Sequence, residues 1–200
     1  MSDTVNRRST LILLAGAVGL AALPAQAALD DAKARALIDR VVADINRIIN
    51  SGRSESAMYG EFEKLFRRYA DVPIISRSTL GPEARRATPA QLSAFADAFA
   101  GFLSRKYGKR FREFIGGQIE VQSSKKVKEY YEVTSVTRLA GQAPFQVVFR
   151  VSDRSGRDLF FDIVIEGISL LKTERTEVLA MLDRRRGDID ALIRDLRTAG

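Results

Sequence analysis

The chain of 200 residues contains no cysteine, no histidine and no tryptophan. Without cysteine there is no disulfide, no thiolate nucleophile and no thiolate-bound metal, so stability has to come from packing and hydrogen bonding. Without histidine the side chain most used for proton transfer near neutral pH is missing, together with the commonest transition-metal ligand. Ser-His-Asp, Cys-His and His-metal sites are therefore excluded. Catalysis would have to run on carboxylate, Lys, Tyr or Ser-Lys chemistry. Long apolar runs are scarce as well. The one that stands out, Leu11 to Leu23, is built from Leu, Ile, Ala, Val and Gly, and it falls short of the ~20 residues that a helix needs to cross a bilayer.

That run follows a polar stretch containing Arg7-Arg8 and precedes Ala25-Gln26-Ala27, a small-x-small exit. Basic start, apolar middle and small-residue exit, in that order, make a secretory signal peptide, residues 1–27, with cleavage expected after Ala27. Arg7-Arg8 followed by Leu11-Ile12 also has features of the twin-arginine export route, while a plain basic start fits the general route. Removing 27 of the 200 residues leaves about 173, residues 28–200, a length that suits one domain. These retain 30 basic and 24 acidic residues, a net charge of about +6. Such an excess favours contact with acidic surfaces. For an exported protein those are anionic lipid headgroups or acidic protein faces, not nucleic acid.

The hydrophobic period changes twice along the chain. Leu37, Val41, Ile45 and Ile48 recur every three or four residues and predict a helix that stops at Asn50-Ser51-Gly52. Met58, Phe62, Leu65, Phe66 and Tyr69 mark a second helix, broken by Asp71-Val72-Pro73. Thr88-Pro89 is an N-cap followed by proline at the first helical position, and it opens a helix to about Tyr107 with an aromatic face. Phe111, Phe114 and Ile115 predict a further turn or two, ended by Gly116-Gly117. From Gln118 the period becomes two. Residues 119–122, 127–139, 145–152 and 158–166 read as strands, with connectors at Ser123-Ser124, residues 141–144 and residues 153–156. Phe145, Val147, Phe149 and Val151 share one face of the third strand; Leu159, Phe161, Ile163 and Ile165 share one face of the fourth. Helical spacing returns after Gly167, and a short last helix begins near Asp188. The predicted class is α+β, with helices packed on one antiparallel, roughly four-stranded twisted sheet.

Three carboxylates, Asp158, Asp162 and Glu166, fall on one face of the fourth strand. Neighbours four residues apart are separated by ~13 Å at ~3.3 Å per residue. Glycosidase carboxylate pairs sit ~5 to 9.5 Å apart, so this row fits a solvated or partly covered face better than a catalytic pair. The basic clusters at Arg67-Arg68, Arg85-Arg86, Arg105-Lys106, Lys125-Lys126-Lys128 and Arg184-Arg185-Arg186 are scattered over different elements and read as solvated faces or as docking points for an acidic surface. No metal, cofactor or catalytic residue is expected. The Phe stripe from Thr88 onward is a core face or the wall of an apolar cavity; periodicity alone is the same for both.

Tyr69-Ala70-Asp71-Val72-Pro73-Ile74-Ile75, Leu80-Gly81, Arg86-Ala87-Thr88-Pro89-Ala90-Gln91, the segments Phe95 to Phe99 and Leu103 to Tyr107, then Phe161-Asp162 through Gly167 to Leu171, and Arg175, occur in an order that resembles the MlaC family. These are periplasmic phospholipid-binding proteins of the maintenance-of-lipid-asymmetry pathway, also called toluene-tolerance proteins. The resemblance implies a non-enzymatic carrier in the periplasm. It would hold acyl chains in an apolar cavity between sheet and helices, and pass lipid between an outer-membrane lipoprotein complex and an inner-membrane ABC transporter carrying an MCE domain. Relatives beside hopanoid-lipid genes leave a polycyclic lipid as an alternative cargo, and an exported α+β hydrolase or a solid-cored adaptor are the readings from other classes. Exposing the ~30 methylenes of two acyl chains to water costs roughly 25 kcal/mol at ~0.8 kcal/mol each. The interior must be about as apolar as a bilayer, and on that ground Phe95, Phe99, Phe102, Leu103, Val147, Phe149, Phe161, Ile163 and Ile165 are the expected wall residues. N-terminal sequencing of the exported protein should begin at Ala28; an intact Met1 start on the exported protein would refute the leader.

Overall fold

The computed structural model describes residues 28–108 and 113–200. The expected leader and Phe111 lie outside these residues. Helix α1 spans Asp31–Ile49 and is capped by Asp30, whose side chain accepts from the Lys33 N–H at 2.8 Å. Its buried stripe includes Leu37, Ile38, Val41 and Val42, as the periodicity requires. Helix α2 is Glu55–Tyr69 and α3 is Val72–Leu80. Pro73 ends one helix by starting another: it lies in the first turn of α3, where its missing N–H has no intrahelical partner to lose, and Asp71 caps the Ile74 N–H at 3.2 Å. A short 3-10 turn, Gly81–Arg85, leads toward α4, Pro89–Gly108. Thr88 and Gln91 open α4 as a reciprocal capping box, with the Gln91 N–H donating to Thr88 Oγ1 at 3.2 Å and the Thr88 N–H donating to Gln91 Oε1 at 3.0 Å.

Five strands follow: β1 Gln118–Val127, β2 Tyr130–Arg138, β3 Phe145–Ser152, β4 Leu159–Ile165 and β5 Ile168–Ser169. They form one sheet in the order β1-β2-β3-β4-β5 with every pairing antiparallel. Helices α5, Leu170–Arg184, and α6, Ile189–Thr198, close the chain. The fold is α+β, with helices on an antiparallel sheet.

Three local features of the sheet differ from the sequence pattern. Ser123-Ser124 is not a connector: β1 runs through it with a bulge between Val121 and Ser123, and the reversal comes at Lys128, whose φ of 53° supplies the left-handed residue. A Lys-Glu turn carries no glycine or asparagine to announce itself. Glu166 (φ 47°) and Gly167 (φ 81°) form a second tight reversal, adding the two-residue β5 that makes the fifth strand. The third feature is a bulge in β4. Val151 pairs with Phe160 while Arg150 pairs with Asp162, so Phe161 is unpaired. The bulge puts Phe160, not Leu159, opposite Val151 and takes it off the Asp162 row.

One face of the sheet is dry. Val133, Ser135 and Thr137 of β2 and Phe149 and Val151 of β3 are buried at 3% exposure or less, and Val133, Phe149 and Val151 belong to one apolar cluster with residues of α1, α3, α4 and α6. Asp162 is the charge that this arrangement has to accommodate. At 4% exposure it accepts from Arg150 Nη1 at 3.1 Å, from the Ser169 hydroxyl at 2.7 Å and from the Leu171 N–H at 3.0 Å. It thereby joins β3, β4, β5 and the start of α5. Arg150 would keep its bond to Glu132 at 3.1 Å, but the Ser169 hydroxyl and the Leu171 N–H would lose their acceptor, so Asp162→Ala should lower unfolding free energy by about 2–4 kcal/mol in urea titration; a loss below ~1 kcal/mol would show that the network is not structural.

Candidate functional site

The helices do not close fully on the sheet. Between them lies a cavity of about 380 Å³, within the ~300–1,000 Å³ usual for small-molecule sites. Its floor is the dry sheet face, through Ile119 of β1, Thr137 of β2, Phe145, Val147 and Phe149 of β3, and Phe160, Phe161, Ile163 and Ile165 of β4. Its roof is helical, from Val41 and Ile45 of α1, Phe62, Leu65 and Phe66 of α2, Ile75 of α3, Phe99 and Leu103 of α4, and Leu170 and Leu171 of α5. Eight of the eleven phenylalanines line this space, so the aromatic content of the chain is concentrated around a void. The lining residues Glu113 and Gln142 are exposed and mark the open side.

The volume separates a wall from a filled core. An empty apolar cavity forfeits roughly 24 cal/mol per Å³, or about 9 kcal/mol for this volume if dry. That is comparable with the whole stability of an ordinary domain, ~5–15 kcal/mol. Such a void is a heavy burden for a purely structural protein and a natural one for a protein that fills it with a ligand.

Of the expected wall residues, Phe99, Leu103, Val147, Phe149, Phe161, Ile163 and Ile165 line the cavity. Phe95 and Phe102 do not. Phe95 is fully buried and stacks on Phe99 with centroids 5.7 Å apart, and Phe102, 2% exposed, lies in the core cluster with Leu192 and Leu196 of α6. Their place in the stripe is right for burial, but one helix face meets both the cavity and another helix. Residues missed at the wall, such as Phe62, Leu65 and Phe66, were visible as an apolar helix face; nothing in a period of 3.6 says that this face meets empty space. Phe160 was missed because the bulge that turns it has no sequence signature here. It now meets Phe149 edge-on at 5.9 Å and Phe66 at 6.2 Å.

The polar side chains at the lining are few. Asp162 is spent on the network described above, while Asp158 and Glu166 are not among the lining residues. Glu174 of α5 is 3% exposed, and its Oε1 accepts from Lys106 Nζ at 2.8 Å and from the Tyr107 hydroxyl at 2.5 Å. Burial works to lower the Lys106 pKa, but hydrogen bonds from Lys106 to Glu174 and Glu177 outweigh it and hold the ammonium above its ordinary value. Lys106 therefore stays protonated at neutral pH. Among the described residues no cluster of metal-ligating side chains occurs and no helix is long and apolar enough to cross a membrane.

The sequence matches the family model described as MlaC protein over residues 36–198. The chain belongs to the MlaC family. Among solved structures, the phospholipid-binding protein from Ralstonia solanacearum, in complex with a phospholipid, is similar to this MlaC-family chain with a TM-score of 0.70. Sequence identity is 20%, over 82% of this chain and 94% of that one. At this identity the likeness is one of fold. The match runs from within α1 to the end of α6 and so spans the elements that enclose the cavity. An open apolar cavity should make the native protein brighten anilinonaphthalene sulfonate, and Leu103→Trp, which adds bulk at a half-buried wall position, should remove most of that signal while leaving the melting temperature within a few degrees. An unchanged signal in the variant would place the dye elsewhere.

Proposed function

We propose that this MlaC-family protein is a phospholipid carrier that works in the periplasm after loss of residues 1–27, and that it exchanges lipid with membrane complexes on either side. The observation that carries the reading is the cavity: about 380 Å³, lined mostly by Phe, Leu, Ile and Val, and open on the Glu113–Gln142 side. Its support is the family membership and the shared fold with a protein whose structure holds a phospholipid. The physics of the task agrees with it. A lipid leaving a bilayer keeps its free energy only if each methylene finds an apolar surface, at ~0.8 kcal/mol apiece, and the wall residues offer such a surface without any bond being made or broken.

Phe99, Leu103, Val147, Phe149, Phe161, Ile163 and Ile165 are the proposed acyl-chain contacts. An outer-membrane lipoprotein complex and an inner-membrane MCE-domain ABC transporter are the proposed donor and acceptor sites. The mature protein purified under native conditions should carry lipid detectable by native mass spectrometry and recoverable by organic extraction. Leu103→Trp and Ile163→Trp should each lower the retained lipid several-fold in folded protein. Repeated recovery without any lipid, from cells and after incubation with phospholipid vesicles, would overturn the proposal.

A further inference from the structure

One edge of the sheet is closed by the fold. Strand β5 runs straight into α5, and beside it the Phe160 carbonyl of β4 accepts from the Asp71 N–H at 2.8 Å. The other edge is β1. Over its first half α1 lies alongside, with Asn46 Nδ2 donating to the Ile119 carbonyl at 3.5 Å and Arg35 donating to the Val121 and Gln122 carbonyls at 3.4 and 3.3 Å. Past the bulge no element takes over. Val127 and Tyr130 close the hairpin on the two-residue turn Lys128-Glu129, so in the alternation of an antiparallel ladder Ser124 and Lys126 turn their N–H and C=O groups away from β2. Among the described residues no hydrogen bond outside the ladder reaches the backbone of residues 123–127. Such an open edge is a template for another strand.

The side chains on this open half carry mostly one sign of charge. Lys125, Lys126 and Lys128 are exposed, Arg35 stands at the near end, and among the described residues only Lys125 of the three lysines has an ion-pair partner, Glu132 at 3.4 Å. Lysines repel the same edge of a second copy, so the pattern that guards this strand against self-pairing leaves it open to a strand of opposite charge. We propose that residues 123–128 form a docking surface for an extended acidic segment of a partner protein, which adds to the five-stranded sheet beside β1. The backbone groups of Ser124 and Lys126 supply the pairing, and the lysines steer and select. A bilayer fits this edge less well: residues 122–129 include no exposed large apolar side chain to insert, and headgroups do not offer the alternating donors and acceptors that an edge pairs with. Ile119, at the opposite end of β1, lines the cavity, so a partner seated on the lysine half holds the protein while leaving the mouth free. The inference stands whatever ligand the cavity takes.

The probe is an acetylated, amidated peptide of alternating Glu and Thr, with the alternating Lys and Thr peptide of equal length as its counterpart, each added to the mature protein. Fluorescence anisotropy should show saturable, salt-sensitive binding of the acidic peptide and none of the basic one. In the complex the Ser124 and Lys126 amides should exchange with deuterated solvent about tenfold more slowly, read residue by residue by NMR. Lys126→Glu should weaken the acidic peptide about tenfold, as reversal of one charge against a complementary strand predicts. Lys126→Ala removes the charge alone, whereas Lys126→Pro also removes the outward N–H without touching the β1–β2 ladder; the proline variant should bind several-fold more weakly than the alanine one. Should the proline variant fail to fold, exchange protection in the unaltered protein decides. Absence of protection at Ser124 and Lys126, equal binding of both peptides, or equal binding by folded alanine and proline variants overturns the inference. So does lysine-dependent binding of phosphatidylglycerol vesicles without binding of the acidic peptide, which would make the hairpin a lipid-docking surface.

Discussion

A buried carboxylate has to be supplied with donors from wherever the chain can bring them, and at Asp162 that requirement organises one side of the molecule. Arg150 comes from β3, the Ser169 hydroxyl from β5, and the Leu171 N–H from the first turn of α5. The three contacts hold β4 in register against β3 while fixing where the chain leaves the sheet. Because α5 starts there, Leu170, Leu171 and Glu174 are carried to the cavity lining. Loss of that anchor would leave the cavity without a defined edge on this side, since the two-residue β5 offers little pairing of its own.

Around this anchor the protein is packed unevenly, and the unevenness is useful. Where α4 meets α6, Phe95, Phe102, Leu192 and Leu196 are buried to 2% exposure or less, which is ordinary close packing. One turn away on the same helix, Phe99 and Leu103 border empty space. The bulge in β4 contributes to both regimes. Beside the bulge, the Phe160 carbonyl accepts from the Asp71 N–H at 2.8 Å, so the junction of α2 and α3 is pinned to the sheet while the Phe160 ring goes to the cavity wall. Tight contacts at the rim of the void thus bear the stability that the void itself withholds, and a ligand of matching polarity would restore it by occupying the folded state and not the unfolded one.

Charge follows the same division. The carboxylate that serves the fold, Asp162, is saturated with donors. Glu174, at the lining, accepts from Lys106 and Tyr107 through Oε1, and the lysine's positive charge is reinforced by Glu174 and Glu177.

Much of this was legible in residue order. The period of 3.6 through Leu37, Val41, Ile45 and Ile48 became α1, the Thr88-Pro89 cap opened α4, and the period of two became an antiparallel meander, because each pattern is a local rule about which side chains share a face. The lack of histidine and cysteine restricted the chemistry by composition alone, whatever the fold. Seven of nine expected wall residues reach the cavity for the same reason: they had to face inward. The rest depended on contacts between elements distant in the chain. The turn at Lys128, the bulge that redirects Phe160 and the five-stranded count come from backbone geometry with no fixed residue signature. Whether Phe99 meets a void while Phe95 and Phe102 meet other side chains was decided only by where α6 and the sheet come to lie. Periodicity orients a side chain toward the interior, whereas the presence or absence of something opposite it is a property of the assembled fold.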